Sequence, residues 1–238
     1  IAAVYVVGRR WLSPLATWVA VGLITLSPVS VVYAQETRVY ALLPLVYLAV
    51  LYATDRVLSA RPERRSRWLL ALALAEWVGV HLHYIAGFVV VYAAGWALLT
   101  LARRRDWATL RAWLWTQAGV GLASLPWFGA VVWNATAVQA EANAGTFAAE
   151  PAPLDFLLTQ VWGFHLTGLA GILGQPLFRG LTLATAVALA LLLVWRLAQP
   201  PTRQTALAWL SHWLLPLVSA LVVWSVRSFS HPRYVTIF

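Results

Sequence analysis

Apolar runs long enough to cross a bilayer recur along the chain, near residues 11 to 31, 40 to 55, 68 to 83, 84 to 102, 112 to 133, 180 to 197 and 204 to 226. A spanning helix takes roughly 17 to 25 mostly apolar residues, and tilt or pairing accommodates shorter ones. The pattern predicts seven complete spans with partial ones at both ends. The fold class it implies is all-α, a polytopic transmembrane helical bundle in which residues 1–238 form a single domain. Pro28, in Leu26-Ser27-Pro28, is expected to end or kink the first of these spans.

Polar punctuation between the runs gives an orientation. The chain has seventeen arginines and no lysine. Arg9 and Arg10, then Arg56, Arg61, Arg64, Arg65 and Arg67, then Arg103, Arg104, Arg105 and Arg111, then Arg196 and Arg203, occupy alternate loops. An excess of basic residues marks the cytoplasmic side, so these loops are expected inside, leaving Arg38, Arg179, Arg227 and Arg233 for the outer face. The alternation requires residues 134–178 to stay outside as one long loop. Within it, Phe156 to Leu173 is apolar but interrupted by Gly163, Gly168 and Gly171, which suits an interfacial or re-entrant helix better than a spanning one.

Composition agrees with the pattern. The chain is 61% hydrophobic and 11% charged, too apolar for a soluble core to hide. Its formal net charge of +9 sits at span boundaries, where lipid head groups lie, and no nucleic-acid module accompanies it. The absence of cysteine excludes disulfides and thiolate metal sites. With Ile1 opening as if in mid-helix and no methionine anywhere, the chain reads as a fragment of a longer protein.

Three polar clusters are expected to converge on the outer face. The first is the decapeptide Tyr33-Ala34-Gln35-Glu36-Thr37-Arg38-Val39-Tyr40-Ala41-Leu42, which sets both signs of charge at a membrane rim. Such a pair is a candidate functional site because an ionisable group there must be paired or wetted. Glu36 and Arg38 diverge by about 200 degrees on a helix and so need separate partners. Glu36 could act as general base, metal ligand or acceptor for a sugar hydroxyl, and Arg38 could fork onto a phosphate; the alternative is a pair knitting helices together from opposite faces.

The second cluster is the turn His81-Leu82-His83-Tyr84 between two short spans. His81 and His83 could share a metal only from an extended or turn conformation, with Glu36, Glu76 or His231 as third ligand. Otherwise they are interfacial hydrogen-bonding residues. The third cluster is Arg227 with His231-Pro232-Arg233-Tyr234, two guanidinium groups suited to a diphosphate or phosphodiester, or to plain anchoring at an interface. Glu76 sits inside a span, where a carboxyl is protonated, pairs with an arginine or faces a cavity. His212, inside another span, reads as a helix-to-helix hydrogen bond.

Ser27-Pro28 followed by the decapeptide resembles the signature stretch of bacterial family 39 glycosyltransferases, relatives of protein O-mannosyltransferases and the aminoarabinose lipid A transferase in the glycosyltransferase C superfamily. His83-Tyr84 in a tight outer turn and Arg233-Tyr234 opening a late span are similar to features of that group.

The resemblance implies an integral, multi-pass inner-membrane enzyme that inverts a sugar as it moves it from a polyprenyl-phosphate carrier to a protein, lipid or glycan acceptor on the non-cytoplasmic face. It implies Glu36 as a secondary acidic residue and Arg38 as its electrostatic partner or a donor-phosphate contact. Gln35, Tyr40, His83, Tyr84, Arg227, His231, Arg233 and Tyr234 would bind substrate. The principal acidic residue of the family would precede Ile1. A divalent metal ion as cofactor stays open, with His81 and His83 as candidate ligands; the partners expected are the lipid-linked sugar, the acceptor and the bilayer, and no nucleic acid. Rival readings are a transporter or flippase of lipid-linked sugars, for which inverted repeats or broken helices would be the mark, and a non-catalytic membrane assembly subunit.

Overall fold

The computed structural model describes residues 1–27, 30, 42–83, 86–142, 176–200 and 210. Among the described residues the chain is helical, without strands: α1 (Ala2–Trp11), α2 (Pro14–Leu26), α3 (Leu43–Ser59), α4 (Pro62–Leu82), α5 (Ala86–Arg104), α6 (Trp107–Ala142) and α7 (Pro176–Ala198). The all-α expectation therefore holds. Ala86–Arg104 is long and apolar enough to cross a membrane by itself, and α2 is apolar but only 13 residues long. The chain groups into two compact units, one made of residues 2–11 and 42–149 and the other of residue 1, 12–41 and 150–238.

In the second of these, α2 starts where Ser13 takes the N-cap position: its Oγ accepts from the Ala16 N–H at 3.3 Å, and Pro14 fills the first helical position, where no N–H is needed. The helix stops sooner than the apolar run does. Ser27 turns extended, at ψ 121°, as the residue before a proline must.

The unit formed by α1 and α3 to α6 is a packed bundle. Along α3 the buried positions are Leu43, Tyr47, Val50, Ala53, Thr54, Val57 and Leu58, a stripe at helical spacing. Facing it, α5 buries Ala86, Val89, Ala93, Ala97 and Leu101. The small alanines let the two backbones approach. Gly79, on α4, sits where a Cβ would lie 3.0 Å from Val46 Cγ1 and 3.3 Å from the Ala86 Cβ, so the start of α3, the end of α4 and the start of α5 meet there. At the opposite end Arg104 Nη1 donates to the Leu58 carbonyl at 2.7 Å, joining the ends of α5 and α3. Helix α3 thus runs parallel to α5 and antiparallel to α4. Polar links between α4 and α6, from Arg65 to Thr109 and from Glu76 to Gln117, make that pair parallel.

Helix α6 continues nine residues past the expected end of its span at 133. The segment Asn134 to Ala142 contains four alanines and no glycine or proline, so nothing in it interrupts the helix. Pro126 lies inside α6 and does not end it.

Candidate functional site

Two ends and one interior level of the bundle carry its polar chemistry. At the basic end Arg10 of α1 bonds Asp55 of α3 through Nε at 2.5 Å, and its Nη2 donates to Ser59 Oγ at 2.8 Å. Between α5 and α6 the chain turns through Arg105, which holds a left-handed φ of 53°. The Arg105 and Asp106 amides return to the Ala102 and Leu101 carbonyls at 3.0 and 3.1 Å, closing α5 in a Schellman motif whose pivot is ordinarily glycine. Asp106 then caps α6: Oδ1 accepts from the Thr109 N–H at 3.1 Å and Oδ2 from the Thr109 hydroxyl at 2.6 Å. Arg65 reaches the same hydroxyl and lies 3.6 Å from the carboxylate. These two Thr109 bonds, and then the charges of Arg65 and Arg104, hold the Asp106 carboxyl below its ordinary pKa.

At the interior level, Glu76 of α4 is 1% exposed and accepts from Gln117 Nε2 of α6 at both carboxylate oxygens, 3.1 and 2.9 Å away. A carboxamide offers two N–H groups from one nitrogen, so one side chain serves both oxygens. Sequence reasoning left Glu76 with a proton, an arginine or a cavity as company and missed Gln117. Gln117 was visible only as a hydrogen-bonding side chain on the apolar run of residues 112 to 133, two runs further along, of the kind an interior carboxyl seeks.

At the far end, His81 belongs to the last turn of α4 and its Nδ1 lies 2.7 Å from the Trp77 carbonyl. A carbonyl can only accept, so Nδ1 carries the proton and is not a ligand nitrogen. The imidazole packs 4.5 Å from the Trp77 ring and 5.6 Å from the Trp127 ring of α6. His83 is the residue past the helix, extended at φ −163° and ψ 132°, and its N–H donates to the Gly79 carbonyl at 3.0 Å. His81 and Leu82 thus complete the helix, and His83 is the first residue past it. Of the third ligands considered with these two histidines, Glu36 and His231 lie outside the described residues. Among the described residues no group of three or more His, Asp or Glu side chains could hold a metal ion.

The remaining site residues of the sequence reading, Gln35, Glu36, Arg38, Tyr40, Tyr84, Arg227, His231, Arg233 and Tyr234, lie outside the described residues, as does His212. What is placed is the junction that follows the decapeptide. Its last residue, Leu42, opens α3, and the Leu42 carbonyl accepts from the Val46 N–H at 3.0 Å. This start of α3 lies at the His83 end of the bundle, away from the arginines. Comparison with protein-family models, with curated proteins and with solved structures returns no match.

Proposed function

We propose that the chain belongs to an integral membrane glycosyltransferase that moves a sugar from a polyprenyl-phosphate carrier to an acceptor on the non-cytoplasmic face of the inner membrane. The observation that carries the reading is the placement of the decapeptide's end: Leu42 enters α3 at the end of the bundle opposite its arginine-rich end. A charged motif at the outer rim and arginines at the inner rim is the polarity such an enzyme needs. The outward faces of the helices support a multi-pass arrangement. Leu70, Leu74, Trp77 and Val78 on α4 and Leu114, Trp115, Leu122 and Leu125 on α6 are exposed, while Glu76 and Ser124 are buried, so the apolar side chains face outward.

In the reaction, the bond between the anomeric carbon and the carrier phosphate breaks while a bond from the acceptor hydroxyl forms on the opposite face. The acceptor proton passes to a carboxylate, and the polyprenyl phosphate leaves with its negative charge. Arg227 and Arg233 are proposed to stabilise that phosphate, since a guanidinium stays charged and transfers no proton. Glu36 orients the acceptor, and Arg38 contacts the donor phosphate. No step is routed through a metal.

The test uses the full-length protein in membranes supplied with polyprenyl-phosphate sugars and reads release of free lipid phosphate. Wild type is expected to turn over, with Glu36→Gln and Arg233→Ala losing most of the activity while remaining folded. Movement of the intact lipid-linked sugar across the bilayer without cleavage would replace the transferase by a transporter.

A further inference from the structure

The arginine-rich end of the bundle is more strongly charged than its internal bonding needs. Residues 2–11 and 42–149 bring eleven arginines there against three carboxylates, Asp55, Glu63 and Asp106. Eight positive charges therefore gather at one end of one unit. The structure sorts the arginines into two groups. Five are engaged within the fold: Arg10 with Asp55, Arg65 with Thr109 and Asp106, Arg104 with the Leu58 carbonyl, Arg9 over the Tyr5 ring and Arg56 over the Trp68 ring at 4.9 Å. The other six, Arg61, Arg64, Arg67, Arg103, Arg105 and Arg111, are exposed, and among the described residues their side chains bond nothing.

Exposed indoles and alkyl chains accompany them on the same helices. Trp107, 62% exposed, follows the Arg103–Arg105 run, and Trp115 lies one turn deeper than Arg111 on α6. On α4, Arg67 is followed by the exposed Leu70 and Leu74. A cluster of unengaged guanidinium groups interleaved with exposed tryptophan, passing further along the helices into exposed leucine, matches the head-group and interface region of a lipid leaflet and the acyl layer beneath it. A nucleic acid or an acidic protein would find the charge but not the apolar layer beneath it.

We propose that this end of the bundle is a binding surface for the phosphodiester head groups of anionic phospholipids in the cytoplasmic leaflet, held by Arg61, Arg64, Arg67, Arg103, Arg105 and Arg111. The inference rests on the membrane reading above and assigns these arginines a role beyond setting topology. Each guanidinium can fork onto two phosphate oxygens, and none has to break an internal bond to do so.

The experiment reconstitutes the full chain into phosphatidylcholine vesicles containing the same fraction of dibrominated phosphatidylglycerol or dibrominated phosphatidylcholine, and reads tryptophan quenching. The expected preference for phosphatidylglycerol is about five-fold or more at 0.1 M salt, since one arginine near a charged surface already supplies about that factor. It should shrink toward unity as salt rises to 1 M, where screening acts within roughly 3 Å. The pairs Arg61→Gln with Arg64→Gln, and Arg103→Gln with Arg105→Gln, remove no internal side-chain bond and should each cut the preference several-fold at unchanged thermal stability. Equal quenching by the two lipids at low salt, a preference that ignores salt, or one that survives both pairs would overturn the proposal. So would its displacement by a single-stranded oligonucleotide at the same salt. A chain that does not float with the vesicles at all refutes the membrane reading instead, so the two failures are distinguishable.

Discussion

The arginine-rich end of the bundle and the level of Glu76, three turns deeper along α4, solve the same problem with different means. At the end, Arg10, Arg65 and Arg104 each tie one helix to another, and the ion pairs among these links have water within reach: the Arg10 and Asp55 side chains are 33% and 18% exposed, those of Arg65 and Asp106 23% and 34%. Inside, one carboxyl meets one carboxamide and no cation. The end can hold many charges because solvent shares their cost, and pairs of this kind contribute little individually. The interior holds one carboxyl, and its partner matters more because removal leaves a buried group with nothing to accept from. The difference predicts that perturbations of equal size in chemical terms have unequal effects at the two levels.

The largest effect is expected at Gln117. Replacing it with leucine leaves both Glu76 oxygens without a donor and should cost about 1 to 3 kcal/mol in a denaturation titration of the protein in detergent. The double variant Glu76→Leu with Gln117→Leu removes both partners and should recover much of that loss. A double variant as unstable as Gln117→Leu alone would mean that the pair is incidental and that packing at this level dominates.

How much of this was legible in the sequence depends on the interaction's range. Helices α3 and α5 follow their apolar runs to within four residues, because length and apolar content act locally, whereas α4 begins six residues before its run, in the charged stretch from Pro62 to Arg67. The stop of α2 was written in Pro28, whereas its start at Pro14 falls inside a run expected to begin at 11. The continuation of α6 to Ala142 was missed because an alanine-rich segment with scattered polar residues reads as a loop when the hydropathy falls, although nothing in it breaks a helix. Glu76 was visible as an interior carboxyl, but its partner lies 41 residues away and no local spacing singles it out. His81 was grouped with His83 by proximity in sequence; the helix ends between them, and the Trp77 carbonyl takes the His81 Nδ1. The charged decapeptide and the Arg227 to Tyr234 segment, which carry the family resemblance, fall outside the described residues and stay as proposals.

A second, smaller effect sharpens the contrast from the exposed end. Asp106→Ala removes the N-cap of α6 together with the anchor of Arg65, and should destabilise the chain by about 1 kcal/mol at neutral pH. The carboxyl is held below its ordinary pKa in the folded chain by Thr109 and by the nearby arginines. Its contribution is therefore complete above the unfolded-state value and is lost as pH falls through the lowered folded-state value. Wild type and variant should converge in stability under acid, as read by thermal melts across the acidic range. A gap that persists unchanged to the lowest pH would place the effect in packing and remove the carboxylate from the account.

The smallest effect has the opposite sign and isolates the backbone from the charge. Arg105 is held at φ 53°, a conformation in which a side chain clashes with its own carbonyl and glycine does not. Arg105→Gly relieves that strain but enlarges the freedom of the unfolded chain, so the net gain should be roughly 0.5 kcal/mol. Arg105→Gln keeps the strain and removes only the charge, so it should leave stability where it was. If the glycine variant gains and the glutamine variant does not move, an arginine occupies a position where glycine is the more stable residue. Stability then does not account for the arginine, and its charge, facing solvent at the basic end, is the property that does.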